Sequence, residues 1–249
     1  MQVIPHTVKQ IGNMEIKGII FDYGGTLDTG GDHWSEVIWC AYGKAGVAVN
    51  KAEFREAYVY AERELARTRH ILPEHDFGDL LLIKMRLELQ WLSGQGLFPP
   101  AQVEAKAGEI AGICYHSART KVEEAVPVLK ELSEKYPLVL VSNFYGNVET
   151  VLKDFGIDTY FKEIIESAVV GVRKPDPKIF SLGVEALGCL PQETVVVGDS
   201  FRKDIEPAEK VGCAAVWIKG KGWTEEEDMQ TYPNTISDIR QLPEMLEKL

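Results

Sequence analysis

Residues 16–22 read Ile-Lys-Gly-Ile-Ile-Phe-Asp, an apolar β-branched run that stops at a carboxylate, and Gly24-Gly25-Thr26 follows at once. A strand buried on both faces is a near-continuous apolar run, which places it inside a parallel sheet covered by helices. In such a sheet ligands sit outside the carboxyl ends of the strands, and a glycine-rich turn there lets backbone approach a ligand. Asp22 is therefore the first candidate for chemistry.

The remaining pattern divides in two. From Asp32 to about Arg119 every periodic segment is helical. Trp34, Val37, Ile38 and Ala41 recur at helical spacing, and Lys51–Arg69 carries Phe54, Tyr58, Ala61 and Leu65 on one stripe. Phe77–Leu92 is a third helix, and Pro99-Pro100 opens a fourth reaching Tyr115. After Val122 strands and helices alternate. Strands are expected at Leu138–Val141, Glu163–Ser167, Thr194–Val197, Ala214–Ile218 and near Thr235, with helices between them beginning at Glu123–Lys135. This rhythm predicts an α/β fold, a doubly wound Rossmann-like parallel sheet with right-handed crossovers and an all-helical insertion after the first strand. The expected boundaries are 14–29 and 123–249 for the core and 30–122 for the insertion, with hinges near Thr29–Asp32 and Lys121–Val126.

Composition excludes several functions. A net charge of −11 repels phosphate backbones, so no nucleic-acid partner is expected. Residues 1–13 lack an apolar signal core and read as a loose leader, and no stretch of 18 apolar residues occurs, so a cytoplasmic protein without a membrane partner is expected. Cys40, Cys114, Cys189 and Cys213 are isolated and read as buried thiols. The five histidines show no ligand spacing; His33 lies near enough to the first loop to border a pocket.

The strand ends present Asp22, Ser142-Asn143 and Gly198-Asp199, and Lys174 immediately precedes Pro175-Asp176-Pro177. A carboxylate, a hydroxyl, a lysine and a second carboxylate in this order resemble the motifs of the haloacid dehalogenase superfamily. Asp22-Tyr23-Gly24-Gly25-Thr26 is similar to its Asp-x-Asp-Gly-Thr signature, Ser142 to its second motif, Lys174 to its third, and Gly198-Asp199 with Asp204 to its fourth. The insertion falls where that family carries a helical cap.

The resemblance implies a Mg²⁺-dependent hydrolase, most simply a phosphatase acting on a small phosphorylated metabolite. Asp22 would attack phosphorus and form an aspartyl-phosphate. Asp22, the Gly24 carbonyl, Asp199 and Asp204 would serve the metal, directly or through water. Ser142, the amide of Asn143 and Lys174 would hold phosphoryl oxygens. Thr26 belongs with that group, though it is expected to order the loop by hydrogen bonding rather than to touch substrate. One position departs: where the family's phosphatases usually carry an aspartate that transfers the leaving group's proton, this chain has Gly24. General acid–base help is worth about 10²–10⁴ in rate, or roughly 3–5 kcal/mol.

Two other readings stay open: a phosphonatase-like C–P hydrolase using an inserted lysine such as Lys44 or Lys51, and a phosphate-binding or regulatory protein with a weakened site. The dehalogenase branch fits less well, because its members do not carry the Gly-Asp metal motif kept here. Substrate candidates from the insertion are Trp34, Trp39, Tyr42, Phe54, Tyr58 and Trp91. The oligomeric state is left open.

Overall fold

The structure, a computed structural model, describes residues 15–249, so the expected leader at 1–13 lies outside the described residues. Strand β1 (Gly18–Phe21) is followed by four helices, α1 (Trp34–Lys44), α2 (Lys51–Arg67), α3 (Phe77–Gly94) and α4 (Val103–Ser133). The chain continues through β2 (Leu138–Ser142), α5 (Val148–Phe155), β3 (Glu163–Glu166), α6 (Ser167–Val170) and α7 (Lys178–Leu187). It ends with β4 (Thr194–Gly198), a π-helical turn (Phe201–Ile205), α8 (Glu206–Val211), β5 (Ala214–Ile218), α9 (Glu225–Met229), β6 (Thr235–Ile236) and α10 (Leu242–Leu246).

All pairings are parallel, in the order β3-β2-β1-β4-β5-β6. The chain builds outward from β1 on one side, then crosses to β4 and builds outward on the other. The switch point is the β1–β4 seam, and a crevice opens at the carboxyl ends of such neighbours. Register places Phe21 level with Leu140 and Val197, so the polar residues after β1, β2 and β4 emerge side by side.

The two-residue period of a strand sorts the core into two layers. Ile19 and Phe21 face a cluster with Leu138, Leu140, Val195 and Val197, which runs on into α1–α4. Ile20 faces the other side with Val139, Val141, Val196, Ile179 and Phe180. Each such side chain, fully buried, contributes about 1.5–3 kcal/mol of transfer free energy. Both faces are covered, as the unbroken apolar strands require.

The expected break near Val122 does not occur. Cys114, Ala118, Val122, Ala125, Leu129 and Leu132 are buried at three- and four-residue spacing, so one apolar stripe runs through the polar stretch after Tyr115. The two expected helices are a single α4, and the boundary at 122/123, with its hinge at Lys121–Val126, falls inside it. Pro127 sits within this helix, where it has no N–H to offer the carbonyl one turn back. α4 packs on α1 and α3 and also on α10. The short α6 and α9 had no periodic signal.

Among the described residues no helix is long and apolar enough to cross a membrane. All four cysteines are free. Cys114 and Cys213 are buried as expected, while Cys40 is exposed and Cys189 half-buried.

Candidate active site

Asp22 continues β1 by one residue, its N–H donating to Val197 O at 2.9 Å. The chain then turns: the N–H groups of Thr26 and Leu27 both donate to Tyr23 O. Gly25 has φ 96°, and a Cβ there would fall inside the Asp199 carboxylate; glycine lets this loop lie directly on the β4 tip. Gly24 differs, since a Cβ at that position meets nothing within 4 Å. The Thr26 hydroxyl donates to Asp199 Oδ1 at 3.0 Å, which is the loop-ordering contact expected of it. Behind the loop, Asp28 accepts from Gly25 N–H at 2.6 Å and from the Trp34 indole at 3.0 Å. Burial outweighs these bonds and raises its carboxyl to about 7.

Lys174 is buried, with Nζ 2.7 Å from Asp204 Oδ1 and 2.8 Å from Asp22 Oδ1. The Asp204 contact is a hydrogen bond, and the Asp22 contact is an ion pair of similar length. The Asn143 side chain clasps the Lys174 backbone, donating to its carbonyl at 3.0 Å and accepting from its N–H at 2.9 Å. That amide holds the lysine in place with one donor and its acceptor. Asp204 also accepts from Ser200 N–H at 3.0 Å.

Carboxylate oxygens of Asp22, Asp199 and Asp204 all lie within 4.8 Å of one another. Two of these acids, Asp22 and Asp204, are paired with Lys174, and Asp199 is not. Burial, then repulsion from Asp204 and Asp22, pushes the Asp199 carboxyl well above its usual range. Asp204 is raised too, chiefly by burial and against the pull of Lys174. Burial lowers Lys174, but the Asp204 and Asp22 charges outweigh it and hold the ammonium protonated. A buried excess of hard oxygen donors is the donor set that suits Mg²⁺ or a similar divalent cation.

These groups form the floor of a cavity of about 460 Å³, whose wall includes Gly24, Asn143 and Lys174. Ser142 and Thr26 are buried and do not reach that wall. The roof comes from the inserted helices. Lys84 of α3 bonds Glu62 of α2 at 2.5 Å and lies 4.4 Å from the Tyr58 ring centre; Tyr145, after β2, donates to the same Glu62 at 3.2 Å. Burial opposes the charge on Lys84, yet Glu62 and the neighbouring tyrosines raise its pKa well above the usual value. Neither Lys44 nor Lys51, the lysines expected for a Schiff base, lines this cavity, and Lys51 is paired with Glu36 at 2.6 Å.

His33 caps α1: its Nδ1 accepts from Ser35 N–H at 3.2 Å and lies 2.8 Å from Ser35 Oγ. Burial, then nearby Lys203 and Lys84, lowers it to about 4. It lines this cavity and a larger one of about 990 Å³ that also shares Tyr58, Glu62, Asp199 and Lys203. Trp34 and Tyr58 are thus the two expected aromatics that reach the wall, while Trp39, Tyr42 and Phe54 pack on one another inside the insertion. Glu62, Lys84, Tyr145, Arg173 and Lys203 were not anticipated. Lys84 did carry a signal, a charge set in the stripe Leu80, Leu81, Met85 and Leu89.

A haloacid dehalogenase-like hydrolase family model matches residues 16–212. Glyceraldehyde 3-phosphate phosphatase of Pyrococcus furiosus is 31% identical over 147 residues, covering 55% of the chain and 59% of that protein. The chain thus spans less than two thirds of that relative's length. The 5-amino-6-(5-phospho-D-ribitylamino)uracil phosphatase of Escherichia coli is 32% identical over 194 residues, covering 75% of each. A solved HAD phosphatase from Thermococcus onnurineus is 25% identical, with a TM-score of 0.52 over 93% of this chain and 98% of that one.

Proposed function

The chain belongs to the haloacid dehalogenase-like hydrolases, and from that premise we propose that it is a Mg²⁺-dependent phosphatase acting on a small phosphorylated compound. The observation that carries this reading is the cluster at the β1–β4 seam, three carboxylates gathered beneath a cavity, two of them paired with Lys174. The phosphatase names of its relatives support the same chemistry.

Asp22 is the attacking group. Its carboxylate lies on the cavity floor, where it would attack phosphorus and form an aspartyl-phosphate that water then hydrolyses. Lys174 neutralises charge on the phosphoryl oxygens without any reorganisation, because Asp204 and Asn143 hold it in place before substrate arrives. The Asn143 backbone N–H is a further donor at the same strand tip. Thr26 holds Asp199 at the β4 tip. Asp22, Asp199, Asp204 and the Gly24 carbonyl would hold the Mg²⁺, which supplies charge neutralisation that lets two anions meet. Helices α1–α4 act as a cap that excludes water, which strengthens each of these interactions.

Purified protein should hydrolyse p-nitrophenyl phosphate with Mg²⁺, and Asp22→Asn should reduce the rate to background. Metal-independent turnover, or an Asp22→Asn variant of undiminished rate, rules the reading out.

A further inference from the structure

A phosphoryl group that engages the cavity floor sends its leaving group away from Asp22, because attacking and departing oxygens lie in line. What receives that leaving group depends on the charges above the floor.

Four cationic side chains line the smaller cavity, and two of them are committed. Lys174 is paired with Asp22 and Asp204, and Lys84 with Glu62. Among the described residues, neither Arg173 nor Lys203 has a side-chain ion pair or hydrogen bond, although both line the wall. Each is the chain neighbour of a floor group: Arg173 precedes Lys174, and Lys203 precedes Asp204. Ser200 fixes the second of them. Its hydroxyl accepts from Lys203 N–H at 3.3 Å and its carbonyl from Asp204 N–H at 2.8 Å. Both side chains are exposed, so their stems form part of the wall while their charged ends stay uncommitted.

Position separates Lys203 from the floor. It lines the larger cavity as well, with His33, Tyr58 and Asp199, whereas Asp22, Lys174 and Arg173 line only the smaller one. Lys203 therefore stands where the two spaces join. His33 reports a positive field at that junction: burial, then the Lys203 and Lys84 charges, lower it to about 4. Its Nδ1 accepts the Ser35 N–H, so its ring proton is on Nε2 and the ring is neutral. Deeper in the larger cavity the wall carries Glu206, Glu226 and Glu227, which repel an anion. The junction is the place left for one.

We propose that the substrate carries a second anionic group on its leaving group, a carboxylate or a second phosphate, which Lys203 holds at the junction and Arg173 supports from the smaller cavity. The inference rests on the phosphatase reading above and adds to it a pair of residues that determine specificity.

The test uses p-nitrophenyl phosphate with Mg²⁺ as reporter. Alkyl phosphates with three- and five-carbon chains compete against it, so binding is read as Ki whether or not the competitor turns over. One set ends in a methyl group, and the others end in a carboxylate, a phosphate or an amine. An exposed ion pair is worth up to about fivefold in affinity. The better anionic ester should therefore bind at least about fivefold more tightly than the methyl-ended ester of the same length, and the amine should bind less tightly than either. Which anionic ester binds better identifies the second group. Lys203→Gln combined with Arg173→Gln should bring the ratio of anionic to methyl-ended Ki within about twofold, and Lys203→Arg should keep it. Equal Ki for methyl-ended and anionic esters, or tightest binding of the amine, would overturn the proposal. So would a double variant that weakens all esters alike, since the two cations would then serve the phosphoryl group itself. No hydrolysis of p-nitrophenyl phosphate at all would instead remove the phosphatase reading, and this proposal with it.

Discussion

At the scale of single residues, the site turns on one buried lysine. Lys174 is the cation that lets Asp22 and Asp204 be charged together in a dry place. Removing one partner of a buried pair is costly because the other charge stays buried alone. Lys174→Met should therefore lower the unfolding free energy by about 3–5 kcal/mol near pH 7. The loss should shrink toward pH 5, where the unpaired carboxyls take up protons. The lysine's own pKa is raised in the folded chain, so its contribution is complete below its unfolded value of about 10 and is lost only as pH rises through the folded one. Urea titrations at the two pH values measure this, and an equal loss at both would contradict it. Lys174 was legible in the sequence because it abuts Pro175-Asp176-Pro177. His33 was legible only by its position, and its fixed tautomer needed Ser35 in place.

At the scale of elements, α3 carries two buried ionisable groups, Lys84 and Glu88, that its apolar period hides. Glu88 is fully buried, accepts from the Tyr42 hydroxyl at 2.9 Å and has its other oxygen unpartnered. Burial raises it to about 8. Between its unfolded value near 4.5 and about 8 the folded chain holds a proton that the unfolded chain lacks, so this group makes stability fall as pH rises. The slope is at most about 1.4 kcal/mol per pH unit. Asp28 acts in the same direction up to about 7 and is unaffected by changes in α3. Glu88→Gln should accordingly flatten the decline seen by chemical denaturation between pH 5 and 8; an unchanged slope would show that Glu88 titrates normally. α4 teaches the complementary lesson. Its buried stripe continues through His116–Lys121, and the polar residues there occupy only the solvent face. Mean polarity suggested a break where periodicity had none.

At the scale of the molecule, the fold concentrates repulsion at one seam and holds it with packing on both sheet faces. Such a site stabilises the chain only when a cation shares the carboxylates. Mg²⁺ at about 100 times its Kd should add roughly 2.7 kcal/mol, or about 5–10 °C in Tm for a chain of this size. Asp199→Asn should abolish the response, yet melt above the metal-free parent because one buried repulsion is gone. A variant that melts lower without metal, or still responds to it, would contradict this account of the seam.

Local chemistry determined what could be read along the chain. Apolar runs of strand length, a carboxylate at the end of each of two of them, the turn glycines and the lysine before Pro175 act within a few residues, so they declared the parallel sheet and the seam groups Asp22, Lys174 and Asp199, while Asp204 came from the resemblance to the family's fourth motif. The roof of the cavity was another matter. Glu62, Lys84 and Tyr145 lie on α2, on α3 and after β2, and their meeting depends on how helices pack over a sheet. The same packing brought Trp34 and Tyr58 to the wall and left Trp39, Tyr42 and Phe54 in the core. Side-chain type and spacing carry no record of which distant segments will share a space; only the folded surfaces decide that.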